Sequence, residues 1–313
     1  MASLTSIESV ARKLDEARSS RLKETTVDFD SYLKAREEDI GNIKSTTNFR
    51  EDLIEEFFGD STESGLRLPW HKSHDKFLVR PGEVTIWTGF NGHMKSMATG
   101  YVMLELMRQD AKVCIASFEM KPRKTLRRMA SQAIGTRHPS EEYVHKFLDQ
   151  MEGKLWLYDQ QGETSPERML GVIYYCAEQL GITQFVIDSL MKVVSNEDDY
   201  NAQKKFIGAL CAAAKDLNVH IHLVHHSRKR EDESRRPGKQ DAKGTGAIVD
   251  QTDNFITVYK FPKKDGEDDK PTHGLFIDKQ RHGEYEGGIL LWFDDQSLQF
   301  KENPHDKRSH YVN

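Results

Sequence analysis

Residues 81–96 read PGEVTIWTGFNGHMKS, from Pro81 to Ser96. Glu83 to Thr88 is a short β-rich apolar run, and Gly89 to Ser96 is a glycine-bearing loop ending in Lys-Ser. Met97, Tyr101, Leu104 and Met107 then follow at helical spacing. Strand, loop and helix in that order is the setting a phosphate-binding loop requires. Backbone N–H groups of Gly89, Asn91, Gly92, His93 and Met94 are expected to converge on phosphate oxygens, with Lys95 reaching the terminal ones. The Ser96 hydroxyl is placed to hold Mg²⁺, and the helix N-terminus adds partial positive charge. The usual pattern is G-x-x-x-x-G-K-[ST], and Met94 stands where the second glycine belongs. Either the Met side chain crowds the phosphates or Gly92 supplies the backbone freedom. The competing reading is an ordinary β-turn-helix whose loop ends in Lys-Ser.

Working outward, the following segments alternate in type. Lys112–Phe118, Lys154–Tyr158, Gln184–Ile187 and Val219–Val224 read as buried strands, while Arg123–Gly135, Pro166–Leu180 and Asn201–Leu217 read as helices. That order predicts an α/β fold with a central, mainly parallel sheet covered on both faces and any ligand at one edge. From Asn254 onward strands dominate, at Phe255–Tyr259, Gly274–Asp278, Gly288–Phe293 and Leu298–Phe300, which predicts an antiparallel extension. Residues 1–60 are charged and helical in pattern, with apolar positions Ile7, Val10, Leu14 and Ala17 and then Leu53, Ile54, Phe57 and Phe58. Such helices are too short and polar to fold alone and need a surface to dock on, in their own chain or a neighbour. The stretch 60–80 reads as a linker anchored by Pro69-Trp70. The expected division is a helical extension at 1–60, a catalytic domain at 61–303 and a tail at 304–313.

Composition narrows the classes. The chain has 313 residues, 37% hydrophobic and 30% charged, with a formal net charge of -5, so any polyanion site must be a local patch. Cys114, Cys176 and Cys211 are far apart, read as buried free thiols of a reducing compartment, and cannot make a four-cysteine zinc site. No apolar run approaches the ~18 residues of a membrane span and no signal peptide opens the chain, so a cytoplasmic protein without membrane contact is expected.

Four positions carry further chemistry. Asp188 ends the apolar strand Phe185-Val186-Ile187 and is the candidate acid for Mg²⁺ and its water, against a bland role as a turn residue. Glu119, just after KVCIASF, would stand at the same sheet edge and is the general-base candidate, against a role at a helix start near Pro122. The cluster His220, His222, His225 and His226 lacks a Cys or Glu to complete a zinc set; His226, or else His225, is instead placed to hydrogen-bond a terminal phosphate. The run Ser227–Lys243 mixes basic and acidic residues and reads first as a solvated loop. Its cations Arg235, Arg236, Lys239 and Lys243, with Gly244, Thr245 and Gly246 behind them, suit close approach to a phosphodiester backbone. Lys279-Gln280-Arg281 ends a strand before His282-Gly283, an expected hairpin turn, and in a ring its cations would enter a neighbour's site.

With these pieces in order, residues 65 to about 300 resemble the RecA-fold motor domain of DnaB-type replicative helicases, most closely those of phages and the mitochondrial Twinkle helicase. The most specific points are Ser117-Phe118-Glu119-Met120, KGTGAIVDQTD at 243–253, and Lys279-Gln280-Arg281 with Gly283. The resemblance implies a P-loop NTPase using ATP and Mg²⁺, with Glu119 as catalytic base and His226 at the position where the family has Gln or His. It implies that Lys279 and Arg281 act in trans, that Phe293 stacks on the nucleotide base, and that the loop before Gly244 lines the central channel. The stretch Asn48–Phe58 resembles the linker helix that docks on the adjacent subunit. The expectation is thus a homo-hexameric, ring-forming DNA helicase moving 5′ to 3′ on single-stranded DNA in a bacterial or phage-infected cell. A primase or helicase loader would be its partner, because residues 1–60 are too short for a primase fold and lack zinc-ribbon cysteines. The rivals are a RecA- or RadA-like filament ATPase and a non-catalytic, nucleotide-dependent loader or scaffold.

Overall fold

The structure, a computed structural model, describes residues 45–58, 65–194, 199–227, 236–239, 246–262 and 269–312. The helix expected around Ile7–Ala17 lies outside them. The helices are α1 (Arg50–Phe58), α2 (Lys95–Arg108), α3 (Pro122–Ile134), α4 (Glu141–Met151), α5 (Pro166–Leu180), α6 (Tyr200–Leu217) and α7 (Gly246–Gln251). A short pair, β1 (Leu66–Arg67) and β2 (Leu78–Val79), precedes the main strands β3 (Val84–Thr88), β4 (Val113–Ser117), β5 (Leu155–Leu157), β6 (Gln184–Asp188) and β7 (His220–Val224). The last four are β8 (Asn254–Lys260), β9 (His273–Gln280), β10 (Gly287–Asp294) and β11 (Gln299–Lys301).

The sheet order is β11-β10-β9-β8-β3-β7-β6-β4-β5. The strands from β8 to β5 are mutually parallel, and β9, β10 and β11 add antiparallel to the β8 edge. This is the predicted parallel sheet with an antiparallel extension. Its parallel strands are buried on both faces, as all-parallel sheets must be. Along β4, Val113 and Ile115 face the core shared with α2, α3 and α4, while Cys114 and Ala116 face the core shared with α5 and α6.

Local chemistry fixes the helix limits. Ser165 Oγ accepts the Arg168 N–H at 3.2 Å, Pro166 opens α5, and Gly181 closes it with φ 66°. Asp199 accepts the Ala202 N–H at 2.9 Å before α6, which ends on left-handed Asn218. The segment ahead of β3 is anchored as expected, because buried Trp70 donates its indole N–H to Phe300 O at 2.6 Å and stacks near Tyr101. The segment expected as a tail packs into the domain: Tyr311 and Val312 are buried, and the Tyr311 N–H donates to Ala133 O at 2.8 Å. The connection after β9 spans residues 281–286 instead of a tight turn at His282-Gly283. Of the cysteines, Cys114 and Cys176 are buried, whereas Cys211 is half-buried and donates to Gln251 O, which corrects the reading of three buried thiols.

Candidate active site at the strand ends

The carboxyl ends of β3, β4, β6 and β7 open on one edge, and the loops leaving them carry Gly89–Met94, Glu119, Asp188 and His226. Gly89 lies against β8 so closely that a Cβ would meet Val258 O at 2.3 Å. Asn91 and Gly92 form the exposed tip, Gly92 with φ 82°. His93 is pinned by its Nδ1, which accepts the Lys260 N–H at 3.1 Å, and by an edge contact with Phe90. Met94 itself is left-handed, φ 62° and ψ 28°, at the N-cap of α2. Gly92 therefore does not stand in for the missing glycine: Met94 adopts that conformation directly, at a cost of about 1–2 kcal/mol for an L-residue. Its half-buried side chain packs on the core shared by α2 and α3.

Lys95 is buried, and its Nζ donates to Gly89 O at 3.0 Å and Phe90 O at 3.1 Å. Burial lowers its pKa to about 8, opposed by the carboxylates of Asp188 and Glu119. Asp188 is buried too; burial raises its pKa, while a hydrogen bond from the Ser96 hydroxyl works against that. Glu119 is half-exposed at the end of β4. His226 Nε2 lies 3.5 Å from its Oε1, and Ser189 Oγ donates to the same oxygen at 3.1 Å. The His226 contact is the main reason the Glu119 carboxyl is held below its usual range, outweighing its partial burial. Five predicted residues, Lys95, Ser96, Glu119, Asp188 and His226, thus share one edge. Ser189 was missed, although it directly follows a singled-out acid.

His220 and His222 point into the domain. His220 bonds Thr85 Oγ1 at 2.8 Å, and His222 Nδ1 accepts the Trp87 indole N–H at 3.1 Å while its Nε2 faces Gln184 Oε1 at 3.0 Å. Burial lowers the His220 pKa to about 4. These are neutral core histidines with partners.

Lys279 and Arg281 sit at the opposite edge, because β9 runs antiparallel and Gln280 pairs with Asn254 at the start of β8. Lys279 Nζ donates to Val249 O at 2.7 Å, Asp250 O at 3.2 Å and Thr252 O at 2.7 Å. Arg281 donates to Asp250 O at 3.2 Å and lies 3.4 Å from the buried carboxylate of Asp253. Asp253 also accepts the Val84 N–H at 2.9 Å. Phe293 is half-buried at the phosphate-loop edge, with ring centroids 5.6 Å from His273 and 5.1 Å from Phe300. Arg236 pairs with Asp278 at 2.7 Å and lies over Phe276, and Lys239 pairs with Glu286 at 2.8 Å. Gly246 opens α7; Arg235, Lys243, Gly244 and Thr245 lie outside the described residues.

This geometry has counterparts among known proteins. The model of the AAA domain family matches residues 64–232, more than half of the chain. The chain belongs to the AAA domain family. Within it, the architecture is the RecA-type fold of DnaB-type helicase motors. A solved structure of the ATPase domain of a helicase superposes with a TM-score of 0.70 at 16% identity, covering 83% of this chain and 99% of that one. A DnaB-like replicative helicase, described with its interactions with primase, superposes with a TM-score of 0.68 at 16% identity, covering 95% of this chain and 76% of that one. Among the described residues of this AAA-domain protein, no helix is long and apolar enough to cross a membrane.

Proposed function

We propose that this protein is an ATP-hydrolysing DNA helicase motor that works as a ring on single-stranded DNA. The observation that carries this is the convergence of Lys95, Ser96, Asp188, Glu119 and His226 on one sheet edge of a RecA-type fold. The donor set fits a nucleotide with magnesium. Gly89 lets the backbone approach closely, Lys95 is a buried cation bonded only to two carbonyls in the described contacts, and the Ser96 hydroxyl and Asp188 carboxylate stand side by side. A magnesium ion between Ser96 and Asp188 supplies Lewis-acid stabilisation of phosphate charge. Lys95 exchanges its loop carbonyls for phosphate oxygens. Glu119 is ionised, and so is ready to take a proton from an attacking water, while His226 orients its carboxylate.

Arg281 and Lys279 stand at the far edge from their own phosphate loop, so they reach a nucleotide only on a neighbouring subunit. Helix α1 favours such an assembly, since Leu53, Ile54 and Phe58 are exposed on it. Phe293 stacks on the base, and the loop from Arg235 to Gly246 grips the DNA backbone without sequence preference, with 5′ to 3′ movement and a primase or loader as partner.

The test is steady-state ATPase with and without single-stranded DNA, with Glu119→Gln as control, followed by unwinding of forked duplexes bearing either tail. DNA-stimulated turnover that the Gln variant loses while still binding ATP is expected. Filaments in place of closed rings by electron microscopy would return the recombinase reading, and absent turnover the scaffold reading.

A further inference from the structure

Behind Ser96 and Asp188, between α2, α3 and the ends of β4 and β6, lies a small chamber of about 20 Å³. Its wall includes Ser117, Thr125, Gln132, Gly100 and Asp188. Three of its polar atoms, Ser117 Oγ, Thr125 Oγ1 and Gln132 Oε1, are buried and have no hydrogen-bond partner among the described residues. Gln132 is 1% exposed, and its amide orientation is fixed because Nε2 donates to Met97 O at 3.1 Å and Leu298 O at 2.8 Å. Its Oε1 therefore faces Gly100, where a Cβ would lie 3.7 Å away. Ser117 pairs in register with Asp188 on the adjacent strand, so both side chains leave the sheet on the chamber's side.

Orphaned buried polar atoms are rare in native proteins, because each forfeits its hydration without return. Three around one space is a cluster with a common cause. A water needs roughly 10–15 Å³ and two to four polar partners, and this chamber offers both. We propose that the chamber is a buried water site, holding one or two waters bonded by Ser117, Thr125 and Gln132 and reaching Asp188. Ser117, Thr125 and Gln132 are then positioning residues for the metal acid. The water ties α3, the helix that starts just after Glu119, to the carboxylate that holds magnesium. Outer partners of this kind set the orientation of a metal-binding carboxylate. The metal part of this inference rests on the proposed function; the water site itself does not.

Thr125→Val and Ser117→Ala test it by sign. In a dry chamber, deleting an orphaned hydroxyl raises Tm; in a hydrated one it removes a hydrogen bond and lowers Tm. Both variants are expected to melt lower than the parent, with ordered water at the three polar atoms in a high-resolution crystal structure. A raised Tm in both, or a crystal structure with no density in the chamber, overturns the water site. For the second half, Mn²⁺ affinity is measured by electron paramagnetic resonance in the presence of a non-hydrolysable ATP analogue. Ser117→Ala is expected to weaken Mn²⁺ about 10-fold while leaving analogue affinity without metal unchanged. Equal Mn²⁺ affinity with lowered Tm overturns the positioning role and keeps the water. If the parent protein binds no Mn²⁺ with the analogue, the magnesium reading itself has failed, whereas the Tm signs still decide the water site.

Discussion

The two edges of the parallel sheet handle cations in opposite ways. At the carboxyl edge, Lys95 is sunk among its loop with two carbonyls for company, and burial lowers its pKa to about 8. At the amino edge, Lys279 satisfies three carbonyls at the end of α7, and Arg281 bonds further carbonyls and the Asp253 carboxylate. The first edge holds its charge uncomfortably and gains when an anion arrives. The second has committed its charges to the fold, so a phosphate on another subunit must compete for them. The polar groups around Asp253 extend this internal satisfaction: Asn254 Nδ2 donates to Glu83 Oε2 at 2.7 Å and to Thr85 Oγ1 at 3.1 Å.

The largest effect expected from breaking this contrast is at Lys95. Lys95→Ala should take nucleotide turnover to background, because no other described cation lies in the phosphate loop; undiminished ATPase would sink the assignment of that edge. At the other edge, Arg281→Ala should lower turnover by about 10³-fold if the residue acts as an arginine finger, with ATP still bound. Mixing Arg281→Ala with Lys95→Ala subunits should restore some activity, since a mixed ring contains interfaces pairing an intact Lys95 with an intact Arg281. Mixed rings that form without any recovery would mean that Arg281 works within its own chain or that every site must fire.

The discomfort of Lys95 is measurable by itself. A drop from 10.5 to about 8 favours the neutral amine by roughly 3 kcal/mol. Between those values the unfolded chain holds more protons than the folded one, so this residue's contribution to stability rises as pH rises through that window. Phosphates reverse the preference and recharge the amine. Nucleotide binding near pH 8.5 should therefore take up a fraction of a proton, read by calorimetry in buffers of different ionisation enthalpy. Uptake that persists in Lys95→Ala at nucleotide concentrations high enough to bind would assign the proton elsewhere. The smallest effect is at Met94, where Met94→Gly relieves left-handed strain but loosens the unfolded chain and gives up core packing. The net gain should be about 0.5 kcal/mol, seen as a slightly higher Tm; a marked loss would show that the Met side chain matters more than its backbone.

The carboxyl edge was the legible half. Strand ends carry their loops to one place, so Asp188 and Glu119 could be assigned from position in a strand, and the β-strand limits followed from apolar runs. Helix α4 was missed although Val144, Phe147 and Met151 recur at helical spacing, because the acidic residues between them read as solvated loop. The amino edge was legible only as a motif. That Lys279 holds the end of α7 depends on β9 lying beside β8, a fact of sheet order that no local pattern contains. The same holds for Arg236, whose partner Asp278 lies on β9. Met94 was legible as an anomaly but not as a backbone conformation.

Tyr311 rests its ring 6.0 Å from Tyr101 on α2, the helix that begins at the phosphate loop, and Gln150 Nε2 donates to Tyr311 O at 2.7 Å. During synthesis, then, α2 leaves the ribosome long before the segment that covers it. The nucleotide loop is made early, but the surface behind its helix stays bare until residue 312 has cleared the exit tunnel, so a ribosome stalled short of that point would present a sticky, half-dressed motor to chaperones.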